Sequence, residues 1–127
     1  MRALIQRVST AAVTVDGDVV AEIGKGILVL LGVAVGDSLD DAKRLAVRTC
    51  AARIFPDESG NMNLNLDQVG GEALVVSQFT LLGDTSKGRR PSFVHAARPD
   101  DAEPLYEAYC SELATLGATV AKGVFGA

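Results

Sequence analysis

The chain has 127 residues, enough for one domain (1–127) that buries roughly two-thirds of its unfolded surface. With 48% apolar residues it is not a disordered protein, and 16 acids against 12 bases leave a net charge of −4, which argues against indiscriminate coating of nucleic acid but not against a local basic patch. The longest apolar run, residues 27–31, is too short to span a bilayer, and Met1-Arg2 leads into a strand pattern with no signal peptide, so a soluble, cytoplasmic protein with no membrane partner is expected.

In chain order, residues 2–9 alternate as a strand does. Residues 11–23 read as a hairpin, with Asp16-Gly17 as a turn pair suited to type I′ geometry. Residues 26–35 are a continuous run of Leu, Val and Ile, expected as a central strand covered on both faces. A helix follows: Ser38 is the N-cap, Asp40 and Asp41 lie in the first turn, and Leu39, Ala42, Leu45, Ala46, Thr49 and Cys50 form its apolar stripe.

Residues 55–72 are a loop with a short extended piece at 62–66, and an apolar strand begins at Leu74. A second helix is expected over about 101–116, with Pro104 in its first turn, a buried face of Leu105, Ala108, Tyr109, Leu113 and Leu116, and Gly117 as the stop. Residues 118–125 make a last strand. This order is not a regular βα alternation and predicts an α+β fold with a mixed or largely antiparallel sheet and two main helices.

Two cysteines, Cys50 and Cys110, fall within the helices and are expected as buried thiols. With one histidine, His95, and no close Cys/His spacing there is no zinc signature. A Gly-rich phosphate loop, an H-E-x-x-H motif and paired carboxylates are missing as well, so neither a cofactor nor a metal is expected.

The strand at 74 is interrupted. After Leu74-Val75-Val76 come Ser77 and Gln78, then Phe79-Thr80-Leu81-Leu82. One reading is an ordinary strand end with Ser77 and Gln78 bonded to backbone. The other is a strand that frays, so that freed N–H groups and the Ser77 and Thr80 hydroxyls line a pocket suited to an oxyanion. A Ser-His-Asp arrangement fits poorly, because His95 reads as exposed and the G-x-S-x-G elbow is absent. Just downstream, Lys87, Arg89 and Arg90 stand on a Gly/Pro loop, either as a solvated turn or as a grip on a phosphodiester-bearing substrate.

Together these residues resemble the D-aminoacyl-tRNA deacylase family. SQFTL at 77–81 matches its signature, and GGEALVVSQFTL, DTSKGRRPSF, RALIQRVSTAAVTVDG, GKGILVLLGV, NMNLNL, LYEAYCSEL and VAKGVFGA follow its pattern over essentially the whole chain. The resemblance implies a metal-free homodimer with a compact β-barrel-like α+β fold. It implies hydrolysis of the ester that joins a D-amino acid, or misattached glycine, to the tRNA 3′ end, as chirality proofreading in translation. Ser77, Gln78, Phe79 and Thr80 would line the pocket, with main-chain donors near Phe79 and the substrate's 2′-hydroxyl carrying the reaction and Thr80 positioning.

The family pattern continues past VFGA into a strand whose Gly-Pro pair, with a cis peptide bond, enters the partner subunit's pocket and rejects L-amino acids; Arg7 would brace it. No Gly-Pro occurs in these 127 residues, and the expectation is a sequence that is part of a longer chain. Two competing readings are a catalytically inactive homodimer that binds tRNA ends or a protein, and a small-molecule esterase using Ser77 with His95. No DNA partner is expected.

Overall fold

In the computed structural model, which describes residues 1–127, the alternating stretches form β1 (Arg2–Val8), β2 (Ala11–Val15) and β3 (Asp18–Ile23). Asp16 and Gly17 both take positive φ, 51° and 85°, as a type I′ turn requires. β4 (Gly26–Gly32) precedes helix α1 (Leu39–Ala51). Two short strands, β5 (Phe55–Pro56) and β6 (Met62–Leu64), pair with each other, and β7 (Glu72–Ser77) runs into a 3-10 turn at Phe79–Leu82. Helix α2 (Pro99–Thr115) and β8 (Thr119–Lys122) complete the fold.

The main sheet has the order β1-β4-β7-β8, with β1 antiparallel to β4 and the other two pairings parallel. The sheet is therefore mixed, as expected. The β2–β3 hairpin is hydrogen-bonded only to itself, so the sheets do not join into a closed barrel. Both helices cover one face of the main sheet, where Ile27, Val29, Leu31, Ala73 and Val75 pack with Ala42, Ala46, Tyr106, Tyr109 and Leu113. The hairpin lies over the opposite face, where Ile23 and Leu74 are buried. β4 ends at Gly32, three residues earlier than its apolar pattern. Leu28 and Leu30, on the hairpin side, are only half-buried, so its two faces are not equally covered.

The caps hold as read. Ser38 and Asp41 form a capping box, with the Ser38 hydroxyl accepting from the Asp41 N–H at 3.2 Å. At the other end of the helical layer, Gly117 takes φ 102°, and the N–H groups of Gly117 and Ala118 return to the carbonyls of Ala114 and Leu113 in a Schellman arrangement.

Three helical details differ from the sequence expectation. Leu39 is 53% exposed and lies off the buried stripe of α1, because it precedes the first full turn packed on the sheet. α2 starts two residues early at Pro99, which sits at its first position, and Pro104 lies in the second turn on the exposed side. The buried face of α2 is Ala102, Tyr106, Tyr109, Cys110 and Leu113, while Leu116 is exposed. What selects that face is satisfaction of the tyrosine hydroxyls. Tyr106 donates to the Val75 carbonyl at 2.8 Å, and the Tyr109 and Thr49 hydroxyls share a 2.8 Å bond between the helices.

Both cysteines are free thiols. Cys110 is buried as expected, whereas Cys50 is only half-buried; burial pushes the Cys50 thiol up from its ordinary value and Cys110 up to about 12. No helix is long and apolar enough to cross a membrane.

Candidate active site

The polar break is the point where β7 ends. Up to Ser77 the strand pairs with Leu31 of β4, and the Gln78 N–H still donates to the Leu31 carbonyl at 2.8 Å. The backbone then tightens into the 3-10 turn instead of resuming the strand. The first N–H groups of such a turn have no partner inside it. No side chain caps them here either, which leaves donors at Phe79 free of a capping group.

Gly32 permits this geometry. A Cβ on it would lie 2.4 Å from Leu82 Cδ2 and 3.2 Å from the Gln78 carbonyl oxygen, so a larger residue would push the turn away from the end of β4.

A cavity of about 470 Å³ opens beside the turn. Ser77, Gln78 and Phe79 line it together with Val33, Phe93, Ala96, Ala97, Pro99, Ala102 and the 125–127 segment. Phe79 is 58% exposed and meets Phe93 edge to face, with ring centroids 5.2 Å apart. Phe125 leans on buried Tyr106, whose hydroxyl holds β7 at Val75, so one wall of the cavity is braced by the core. The chain has four phenylalanines, and three of them line this cavity. That concentration is a signal the linear sequence carried, although no spacing rule linked the three.

Thr80 does not line the cavity. Its hydroxyl oxygen accepts a hydrogen bond from the Gln78 side-chain amide, and no base stands ready for its proton. His95 is 66% exposed and lies 3.7 Å from Asp84, with no hydrogen bond to Ser77. The Ser86 N–H, donating to Asp84 at 2.9 Å, is the main reason that carboxyl sits below its usual range; His95 adds less. The Asp84–His95 pair thus belongs to the loop, and a relay to a serine nucleophile is not formed.

Lys87, Arg89 and Arg90 are exposed and enter no ion pair. Their loop is closed at its base by two backbone bonds between Asp84 and Ser92, of 2.7 and 2.6 Å, and the next residue is Phe93 in the cavity wall. The cations and the pocket are thereby brought together. Arg7 is not with them: it is exposed and opposite Ile27, four residues, roughly 13 Å, along β4 from the carbonyl that anchors the turn.

The chain is similar to known proteins over its whole length. The family model for D-Tyr-tRNA(Tyr) deacylase matches residues 4–127. A D-aminoacyl-tRNA deacylase of Roseiflexus castenholzii is 58% identical, covering 100% of this chain and 81% of the relative. A D-aminoacyl-tRNA deacylase of Alteromonas mediterranea is 54% identical, covering 100% and 88%. Among solved structures, the c-Myc DNA Unwinding Element Binding Protein superposes with a TM-score of 0.93 at 35% identity, covering 100% of this chain and 87% of that one. A probable eukaryotic D-amino acid tRNA deacylase shares the fold at a TM-score of 0.81 and 18% identity, covering 98% and 88%.

Proposed function

This chain belongs to the D-Tyr-tRNA(Tyr) deacylase family, and on that premise we propose that it hydrolyses the ester between a D-amino acid, or misattached glycine, and the 3′ end of tRNA. The observation that carries the site assignment is the uncapped start of the 3-10 turn at the mouth of an apolar cavity, next to a loop of unpaired cations. Ester hydrolysis builds negative charge on the carbonyl oxygen. A backbone N–H fixed where that charge develops contributes on the order of 10²–10³ in rate and needs no titrating side chain. The lack of a base at Thr80 and Ser77 agrees with a reaction in which the substrate's own 2′-hydroxyl handles the proton.

In this reading Phe79 supplies the donor, and its ring with Phe93 gives the terminal adenosine an aromatic wall. Ser77 and Gln78 line the site, and Thr80, held by the Gln78 amide, positions it. Lys87, Arg89 and Arg90 hold acceptor-end phosphates. The working unit is a cytoplasmic homodimer. Leu4, Val19 and Val20, exposed on β1 and on the hairpin that covers the same face of the sheet, support an apolar contact between copies. Arg7 stands on the other face of β1 from Leu4 and remote from its own chain's turn, and in this reading it braces an element of the partner subunit.

The test is release of amino acid from matched D- and L-tyrosyl-tRNA by the full-length protein. Loss of the D-form with survival of the L-form is expected. Equal cleavage of both would remove the chirality reading, and binding without turnover would leave a tRNA-end binding module instead.

A further inference from the structure

The turn that carries Phe79 and Thr80 is exposed on its outer side; besides the packing of buried Leu82 on Gly32, it is hydrogen-bonded to the fold at two points. At its start, the Gln78 N–H donates to the Leu31 carbonyl. At its end, Arg2 Nη1 donates to the Leu81 carbonyl at 2.8 Å across 79 residues of chain. Apart from the Gln78–Thr80 bond internal to the segment, this is the one side-chain hydrogen bond that reaches it. The reason the two meet is the strand register. Arg2 pairs with Gly32, and Gly32 is the residue whose missing side chain lets the turn sit on the sheet edge. The Leu81 carbonyl is one of the acceptors that the last turn of a helix leaves without an internal partner. A guanidinium fits it with one of its five N–H groups.

Arg2 is absent from the cavity wall. The geometry points to Arg2 as a positioning residue for the proposed deacylation. By fixing the C-terminal end of the turn, it sets the direction in which the Phe79 N–H meets the scissile carbonyl. This rests on the reading that the N–H groups at the start of the turn hold the oxyanion. Arg2 is separate from the loop cations: its bond is to protein backbone, and its effect falls on the chemical step instead of on tRNA affinity.

Two measurements on the full chain test it. The first is amide hydrogen exchange in wild type, Arg2→Met and Arg2→Lys. Arg2→Met is expected to speed exchange at residues 79–83 while the β4 and α2 amides keep their protection, and Arg2→Lys, which retains one donor, to restore part of it. Unchanged exchange at 79–83 in Arg2→Met overturns the proposal whether or not the protein is active.

The second is steady-state deacylation of D-tyrosyl-tRNA across salt concentrations. Arg2→Met should lower kcat by 10- to 100-fold, the scale of a misaligned reacting group, with KM and salt dependence unaltered and Arg2→Lys intermediate. A raised KM with a flattened salt slope and intact kcat would make Arg2 a phosphate contact and overturn its positioning role. Faster exchange at 79–83 in a protein whose wild type cleaves no aminoacyl-tRNA would uphold the hold of Arg2 on the turn and sink the deacylase reading instead.

Discussion

Thr80 carries the hydroxyl that a search for nucleophiles would select, and its surroundings argue for a different use. Gln78 donates to it, and a donor on the oxygen lowers its electron density; no carboxylate or imidazole accepts its proton. Thr80→Ala should therefore keep D-tyrosyl-tRNA deacylation within about tenfold of wild type, with no acyl-enzyme burst, whereas deletion of a true nucleophile costs on the order of 10⁶ in kcat. Rapid-quench kinetics on the variant separates the two outcomes. His95 is not placed as a base for Ser77 or Thr80 either. Its contact is with Asp84, whose carboxyl is engaged first by the Ser86 N–H, at the root of the basic loop.

At the level of elements, the site depends on a junction. β7 must stop at Ser77 and the 3-10 turn must pack onto the last residue of β4, where there is no room for a methyl group. Gly32→Ala should push Leu82 and the Gln78 carbonyl away, destabilising the fold by about 1–3 kcal/mol as overpacking does. Deacylation should fall further than the lost stability explains, because the displaced turn is the one that carries Phe79. Urea unfolding alongside activity at low denaturant checks this: normal activity per folded molecule would mean the turn tolerates the shift. The α2 helix shows a related dependence between elements. Its buried stripe is set by where Tyr106 and Tyr109 find acceptors, at Val75 and Thr49, more than by where its leucines fall.

For the molecule as a whole, charge is distributed against its average. A net charge of −4 repels polyanions at long range, yet Lys87, Arg89 and Arg90 stand together, unpaired, on a loop hinged beside the cavity. If each holds one phosphate, the log–log dependence of tRNA binding on salt should have a slope of roughly −2 to −3 from these contacts. Replacing all three with Gln should flatten the slope by about that amount while leaving the melting temperature near wild type, since none of them is buried or paired. Filter binding at several ionic strengths reads this directly, and an unchanged slope would make the loop a solvated turn.

Local rules were enough for much of this architecture. The Asp16-Gly17 turn, the Ser38 cap and the Gly117 stop each depend on the preferences of one or two residues, and the central position of β4 follows from its unbroken apolar run. The break at Ser77-Gln78 marked the candidate site, because polar groups in an apolar strand are costly unless they are used. The packed structure alone decided that the break becomes a 3-10 turn, because that outcome requires an empty place at Gly32, 46 residues earlier in the chain. It also decided that Phe93 and Phe125 join Phe79 around one cavity, that Arg7 stands apart from the turn, and that Arg2 reaches it. Those relations are distances between strands, set by register and by the volume of side chains from distant segments, and a linear pattern does not contain them.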